Sequence, residues 1–165
     1  MIEKSISVLT FLSALGCGLI AGAFFAFSTF VMKALGRLPA AQGIAAMQSI
    51  NIVVINPIFM TAMFGTGVAC FALAVLSVFK WYQPGTGYLL AGGLLYITGT
   101  ILVTILFNVP RNDALASVNP TSAEGVTLWS NYLSSWTNWN HVRTMASLVA
   151  AALFTVALVK LRSLE

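Results

Sequence analysis

Four long stretches of this chain carry no charged side chain: Ser5 to Met32, Leu38 to Phe79, Trp81 to Pro110 and Thr144 to Val159. Roughly 20 apolar residues cross the hydrocarbon core of a bilayer as a helix. The pattern therefore predicts an all-α integral membrane protein, a four-transmembrane-helix bundle with spans at about 5–32, 51–79, 88–107 and 142–159 in a single membrane domain covering 1–165. The opening "MIEKSISVLTFLSALGCG" has the lysine, apolar core and small residues of a signal peptide or lipoprotein leader. Its apolar run continues through "LIAGAFFAFSTFVM", past any cleavage site, so it is read as the first span.

The polar interruptions predict the connections. "KALGRLPAAQGIAAMQSIN" is too broken for a span and reads as an interfacial connection that includes a short helix. "NIVVINP" predicts a kinked entry into the second span at Asn56 and Pro57, and "KWYQPGTG" is a turn-rich connector. Within the first span, "GLIAG" sets Gly18 and Gly22 one helical turn apart, a spacing that lets a neighbouring backbone approach. The longest loop joins spans 3 and 4. Its Trp129, Leu133 and Trp136 continue into Asn140 and Arg143 at spacings of three and four, placing all five on one helical face. Tryptophan and tyrosine concentrate at membrane interfaces, so a short interfacial helix is expected at about 122–136, ahead of the last span.

Composition agrees with this reading: 59% of residues are hydrophobic, 7% are charged and the mean hydropathy is +0.92, whereas soluble domains carry about 25% charged residues. Cys17 and Cys70 fall inside spans at no metal or disulfide spacing and read as small apolar residues. Four spans put both termini on one side. Lys4, Lys80, Lys160 and Arg162 then balance Lys33, Arg37, Arg111 and Arg143 on the other, so the count of basic residues by side is tied. Discounting Arg111 and Arg143 as members of a site makes the termini cytoplasmic.

The topology also gathers polar residues at one membrane face. Asn51 and Asn56 enter span 2, Asn108, Arg111, Asn112 and Asp113 follow span 3, and Asn140, His141 and Arg143 precede span 4. Polar groups at membrane depth are costly unless they pair or line a wet or ligand-filled pocket. The expectation is one cavity, with "NVPRND" as a rigid turn facing "NWNHVR" and with Trp136 and Trp139 as an aromatic wall. The bland alternative is helix caps and headgroup contacts. One histidine, two separated cysteines and four acids do not build a tetrahedral zinc or di-iron site; haem on His141 alone has no supporting motif, and there is no glycine-rich phosphate loop. His141 as general base, with cationic and amide donors around it, suits proton abstraction beside a carbonyl.

Four blocks, "AGAFFAFSTFVMKALGRLPAAQGIAAMQSIN", "NPIFM", "NVPRNDALA" and "WTNWNHVRT", resemble the DUF1772 membrane family, which includes the anthrone oxygenases of polyketide pathways. The resemblance implies oxidation of an anthrone to an anthraquinone by molecular oxygen as co-substrate, with no metal or other cofactor. Asn140 and Arg143 match the family's Asn-x-x-Arg, and Asn108 and Asn112 match its polar turn. Taken together with the polar face read above, the expected roles are His141 as base, Arg143 with Asn108 or Asn112 as stabilisers of the anion, and Asn51, Asn56, Arg111, Trp136, Trp139 and Asn140 as substrate contacts. The compact chain is similar to bacterial members, implying the inner membrane. Expected partners are membrane lipid and an apolar aromatic molecule, with homo-oligomerisation open and no nucleic acid. The rival is a non-enzymatic module that binds a lipid, a quinone or a partner protein.

Overall fold

The computed structural model describes residues 2–162. They form five helices: α1 (2–35), α2 (Ala40–Val53), α3 (Pro57–Phe79), α4 (Thr86–Ala116) and α5 (Ala123–Arg162). There is no strand among the described residues, and all but α2 are long and apolar enough to cross a membrane.

Local chemistry sets the helix boundaries. Pro57 begins α3, and the Asn56 side chain caps it by accepting from the Phe59 N–H at 3.0 Å. The second span therefore starts later than the expected residue 51, and Asn51 belongs to α2. Gly85, at φ +90°, turns the chain into α4, a conformation that a side chain at this position would resist. Ser122 caps α5 by accepting from the Gly125 N–H at 3.0 Å.

Two further boundaries differ from the sequence reading. "NVPRND" is not a turn: α4 runs through it to Ala116. The helix tolerates Pro110 because the preceding turn, Thr104–Asn108, is widened to π-helical geometry, which relieves the loss of an N–H donor and the clash with the carbonyl one turn earlier. The expected interfacial helix is likewise not separate, since α5 is continuous for 40 residues. Its outward face gives the change of environment instead. Asn131, Ser134, Asn138 and His141 are exposed, followed by exposed Val142, Met145, Leu148 and Val149. From that switch to Leu161 the helix rises about 30 Å at ~1.5 Å per residue, the thickness of a hydrocarbon core. Exposed Phe79, Trp81 and Tyr82 mark the opposite boundary.

The buried residues fall into two clusters. One, within the membrane, joins Ile20, Cys70, Leu73, Tyr96 and Phe154. The other forms a cap beyond the His141 level from Ile44, Met47, Leu115, Trp129, Tyr132 and Trp136. Gln48 clips α2 to the end of α4, donating to the carbonyls of Leu115 and Val118 at 2.8 and 3.1 Å. Close helix approach uses glycines other than the expected pair. A Cβ on Gly93 would lie 2.5 Å from the Cys70 carbonyl oxygen, whereas Gly18 and Gly22 have nothing within 4 Å. A separate approach of α1 and α3, at Gly16 against Thr66, brings the free thiols of Cys17 and Cys70 to 3.8 Å, a juxtaposition their spacing did not reveal.

Candidate functional site

Between the two clusters lies a cavity of about 240 Å³, somewhat below the usual range of ligand pockets. Its walls are apolar: Phe24 and Phe27 from α1, Met47 from α2, Phe59 and Met63 from α3, and Ile105 from α4. Three helices depart from α geometry at its level, with π-helical turns at Phe27–Val31, Thr61–Gly65 and Thr104–Asn108. Such turns recur at functional sites because they re-aim side chains. α3 packs on α4 through 66–79 against 86–96 and diverges from it towards the cavity. The rim there is made of exposed Ile55, Phe64, Ile105 and Val109, so the opening lies on the outer surface of the bundle with an apolar edge.

Arg143 is the cavity's one cation among the described residues, and it is only 4% exposed. Helical side chains lean towards the N-terminus of their helix, and the guanidinium accordingly sits over the preceding turns of α5. It donates to Asn140 Oδ1 at 2.6 Å and to Thr104 Oγ1 at 3.3 Å. The Phe24 and Trp136 rings lie 4.2 and 5.1 Å from Cζ, contacts that stabilise a cation shielded from water. No carboxylate among the described residues pairs with it, and Nε is buried with no partner. A guanidinium has five N–H donors, so most of this one's capacity is unused at a depth where unpaired charge is costly.

Neighbouring side chains hold this cation. Asn140, fully buried, spends its amide nitrogen on the Phe24 carbonyl and Ser28 Oγ, both at 2.7 Å, which leaves its oxygen for Arg143. Ser28 Oγ is in turn 3.3 Å from Thr144 Oγ1. Asn112 is oriented with equal definition. Its Oδ1 accepts from Tyr132 Oη–H and from Trp136 Nε1–H, each at 2.8 Å; both partners are donors, so the amide nitrogen faces elsewhere. Asn112 lines the cavity, and so does Asn51, whose buried amide nitrogen has no partner.

Of the residues expected from the sequence, Arg143, Asn112, Asn51 and Trp136 line one cavity, and Asn140 stands directly behind Arg143. Asn108 is buried beside them, donating to the Trp136 carbonyl at 3.2 Å, but does not reach the lining. The others lie elsewhere. His141 is exposed and borders a separate outer groove with Leu95, Met145 and Val149. It is two residues from Arg143, about 200° around the helix, and so faces away. Trp139 stacks on Phe107 at 3.7 Å. Arg111 is held by the Phe107 carbonyl and Ser135 Oγ, and Asn56 is a helix cap. Phe24, Phe27, Met63, Thr104 and Tyr132 were missed: in a chain this apolar, nothing marks a cavity-lining phenylalanine apart from a lipid-facing one. Among the described residues no three His, Cys, Asp or Glu side chains come together.

Fold and site define a four-span membrane protein with an apolar cavity opening on the side of the bundle and a buried, unpaired cation at its wall. Residues 57–153 match the family model described as anthrone oxygenase, more than half of the 165 residues, and the chain belongs to that family. The match contains Thr104, Asn112, Trp136, Asn140 and Arg143; α1 and α2 precede it. No curated protein and no solved structure matches the chain.

Proposed function

We propose that the cavity takes a flat, apolar, enolisable aromatic of the anthrone type from the membrane and promotes its oxidation by O2 to the quinone. The observation that carries this reading is the Arg143 guanidinium, buried without a counter-ion against an apolar space. An anion completes such a site. A cation fixed in a medium of low dielectric favours the ionised form of a bound carbon acid.

In the proposed sequence, Arg143 stabilises the enolate oxygen formed when the substrate's methylene loses a proton. No carboxylate or imidazole lines the cavity, so no side chain there is assigned as base, His141 included, and the proton is released to bulk water. The electron-rich carbon reduces O2 and bonds to it, giving after protonation a hydroperoxide on that carbon. Loss of water across the C–H and O–O bonds then leaves the carbonyl. One substrate and one O2 yield one quinone and one water, with O2 as the only co-substrate named. The aromatic walls and the opening between α3 and α4 suit a planar ligand arriving from lipid.

For orientation, the burial of Arg143 and the contacts of Arg111 support leaving both out of the charge count. That favours cytoplasmic termini in a bacterial inner membrane.

The test is oxygen uptake by the purified protein in lipid nanodiscs supplied with anthrone, with quinone measured in parallel. Quinone formed in step with O2 consumed, well above the rate of protein-free nanodiscs, is the expected result. Saturable binding without added uptake would favour the non-enzymatic module.

A further inference from the structure

Arg143 occupies one pole of the cavity; a second set of donors stands at the other. Asn51 and Asn112 both lie beside Tyr132, Asn51 as its side-chain neighbour from α2 and Asn112 as acceptor of its hydroxyl proton from α4. Both line the cavity. The buried Asn51 amide nitrogen is turned towards the Tyr132 hydroxyl without closing a hydrogen bond on it, which leaves N–H capacity for a ligand, and the Asn112 amide is turned so that its nitrogen is the end not engaged by Tyr132 and Trp136. Tyr132 precedes Arg143 by eleven residues on one continuous helix, about 16 Å of rise at ~1.5 Å per residue. The arginine side chain leans back along that rise, which brings the two poles to on the order of 10 Å apart. Two donors at that separation accommodate a ring with oxygens on opposite edges, with one hydrogen bond of about 2.9 Å at each edge. The free polar ends of the lining residues at these two poles, the Arg143 guanidinium and the Asn51 and Asn112 amide nitrogens, are donors, so they match a ligand that presents acceptors to them.

We infer that Asn51, with Asn112 beside it, reads a second oxygen of the substrate or product, on the edge opposite the oxygen held by Arg143, and that α2 is thereby the specificity element of the site. The ligand class is a fused-ring aromatic bearing acceptor oxygens on two opposed edges. This rests on the cavity reading given above and adds a residue from outside the matched stretch 57–153. Gln48, one turn before Asn51, fixes its height by clipping α2 to α4.

The experiment compares three probes without oxygen, anthracene, anthrone and anthraquinone, bearing none, one and two opposed oxygens. Binding to the full chain in nanodiscs is followed by quenching of tryptophan emission, since Trp136 lines the cavity. The wild type is expected to bind the three in rising order. Asn51→Leu should lose about tenfold for anthraquinone, the scale of one hydrogen bond to a buried donor, and leave anthrone within about twofold. Asn51→Asp, which replaces the donor by an acceptor of the same shape, should lose at least as much and guards against a packing effect of leucine. Equal loss for anthrone and anthraquinone in both variants, or loss for neither, overturns the inference while the cavity reading stands. No binding of any probe by the wild type overturns the cavity reading and the inference with it.

Discussion

Asn140 and Arg143 stand one turn apart on α5, joined by a 2.6 Å hydrogen bond in which the amide oxygen receives the guanidinium. The amide nitrogen is anchored across the bundle to Phe24 and Ser28 on α1, so α1 determines where a cation on α5 is held. Each donor and acceptor of Asn140 is thereby used, and the unused capacity passes to Arg143 on the cavity side.

Removing that cation should abolish most of the transition-state stabilisation. Arg143→Ala is expected to lower kcat/KM for anthrone oxidation about 10²-fold or more, on the scale of losing one preorganised electrostatic donor. Arg143→Lys should recover little, because an ammonium lacks the planar fork that holds Asn140 while still presenting donors. Steady-state oxygen uptake with matched thermal unfolding checks both; wild-type rates in either variant would contradict the role.

Asn140 acts through Arg143, and its loss should register differently. Asn140→Leu leaves the Ser28 hydroxyl and the Phe24 carbonyl without their donor, so the melting temperature should fall along with kcat, while KM for an apolar substrate changes little. A variant with a lowered KM and an unchanged melting temperature would show that Asn140 does not position the cation.

His141 should be dispensable. It faces the outer groove, and His141→Ala is expected to keep oxidation within about threefold of wild type from acid to alkaline pH. A loss comparable to that of Arg143→Ala, relieved as pH rises towards the substrate's own ionisation, would restore it as the base.

How legible the molecule was depended on whether a feature is local. The four spans follow from uncharged length, and the shared face of Trp136, Asn140 and Arg143 follows from spacings of four and three. The same helical arithmetic separates His141 from that face, and only its rarity drew it into the expected site. Other features needed tertiary information. The run through Pro110 depends on a widened turn that no composition signals. Asn51 reaches the cavity only because the chain breaks at 54–56 and folds α2 over it. The approach of Cys17 and Cys70 is set by helix packing, with Gly16 on α1 against Thr66 and Gly93 on α4 against Cys70.

Those glycines give a stability test. Gly93→Ala would put a Cβ 2.5 Å from a backbone carbonyl of α3, which cannot retreat as a flexible side chain would, and the cost is expected in the overpacking range of about 1–3 kcal/mol. Gly18→Ala and Gly22→Ala meet nothing and should be neutral or slightly stabilising. Thermal unfolding in one detergent orders the three; a destabilised Gly18→Ala protein would mean that this face packs against something beyond the chain.

The most direct measurement is the ionisation of a bound substrate. With oxygen excluded, anthrone and its anion are distinguishable by absorbance, and a titration in nanodiscs yields the apparent pKa of the bound ligand. An unpaired cation favours the anionic form, so the bound pKa should lie below that of anthrone in protein-free nanodiscs, and Arg143→Ala should return it to that value or above. Equal ionisation in the wild type, the variant and empty nanodiscs, with binding established by tryptophan quenching, would contradict the claim that Arg143 acts by stabilising a substrate anion.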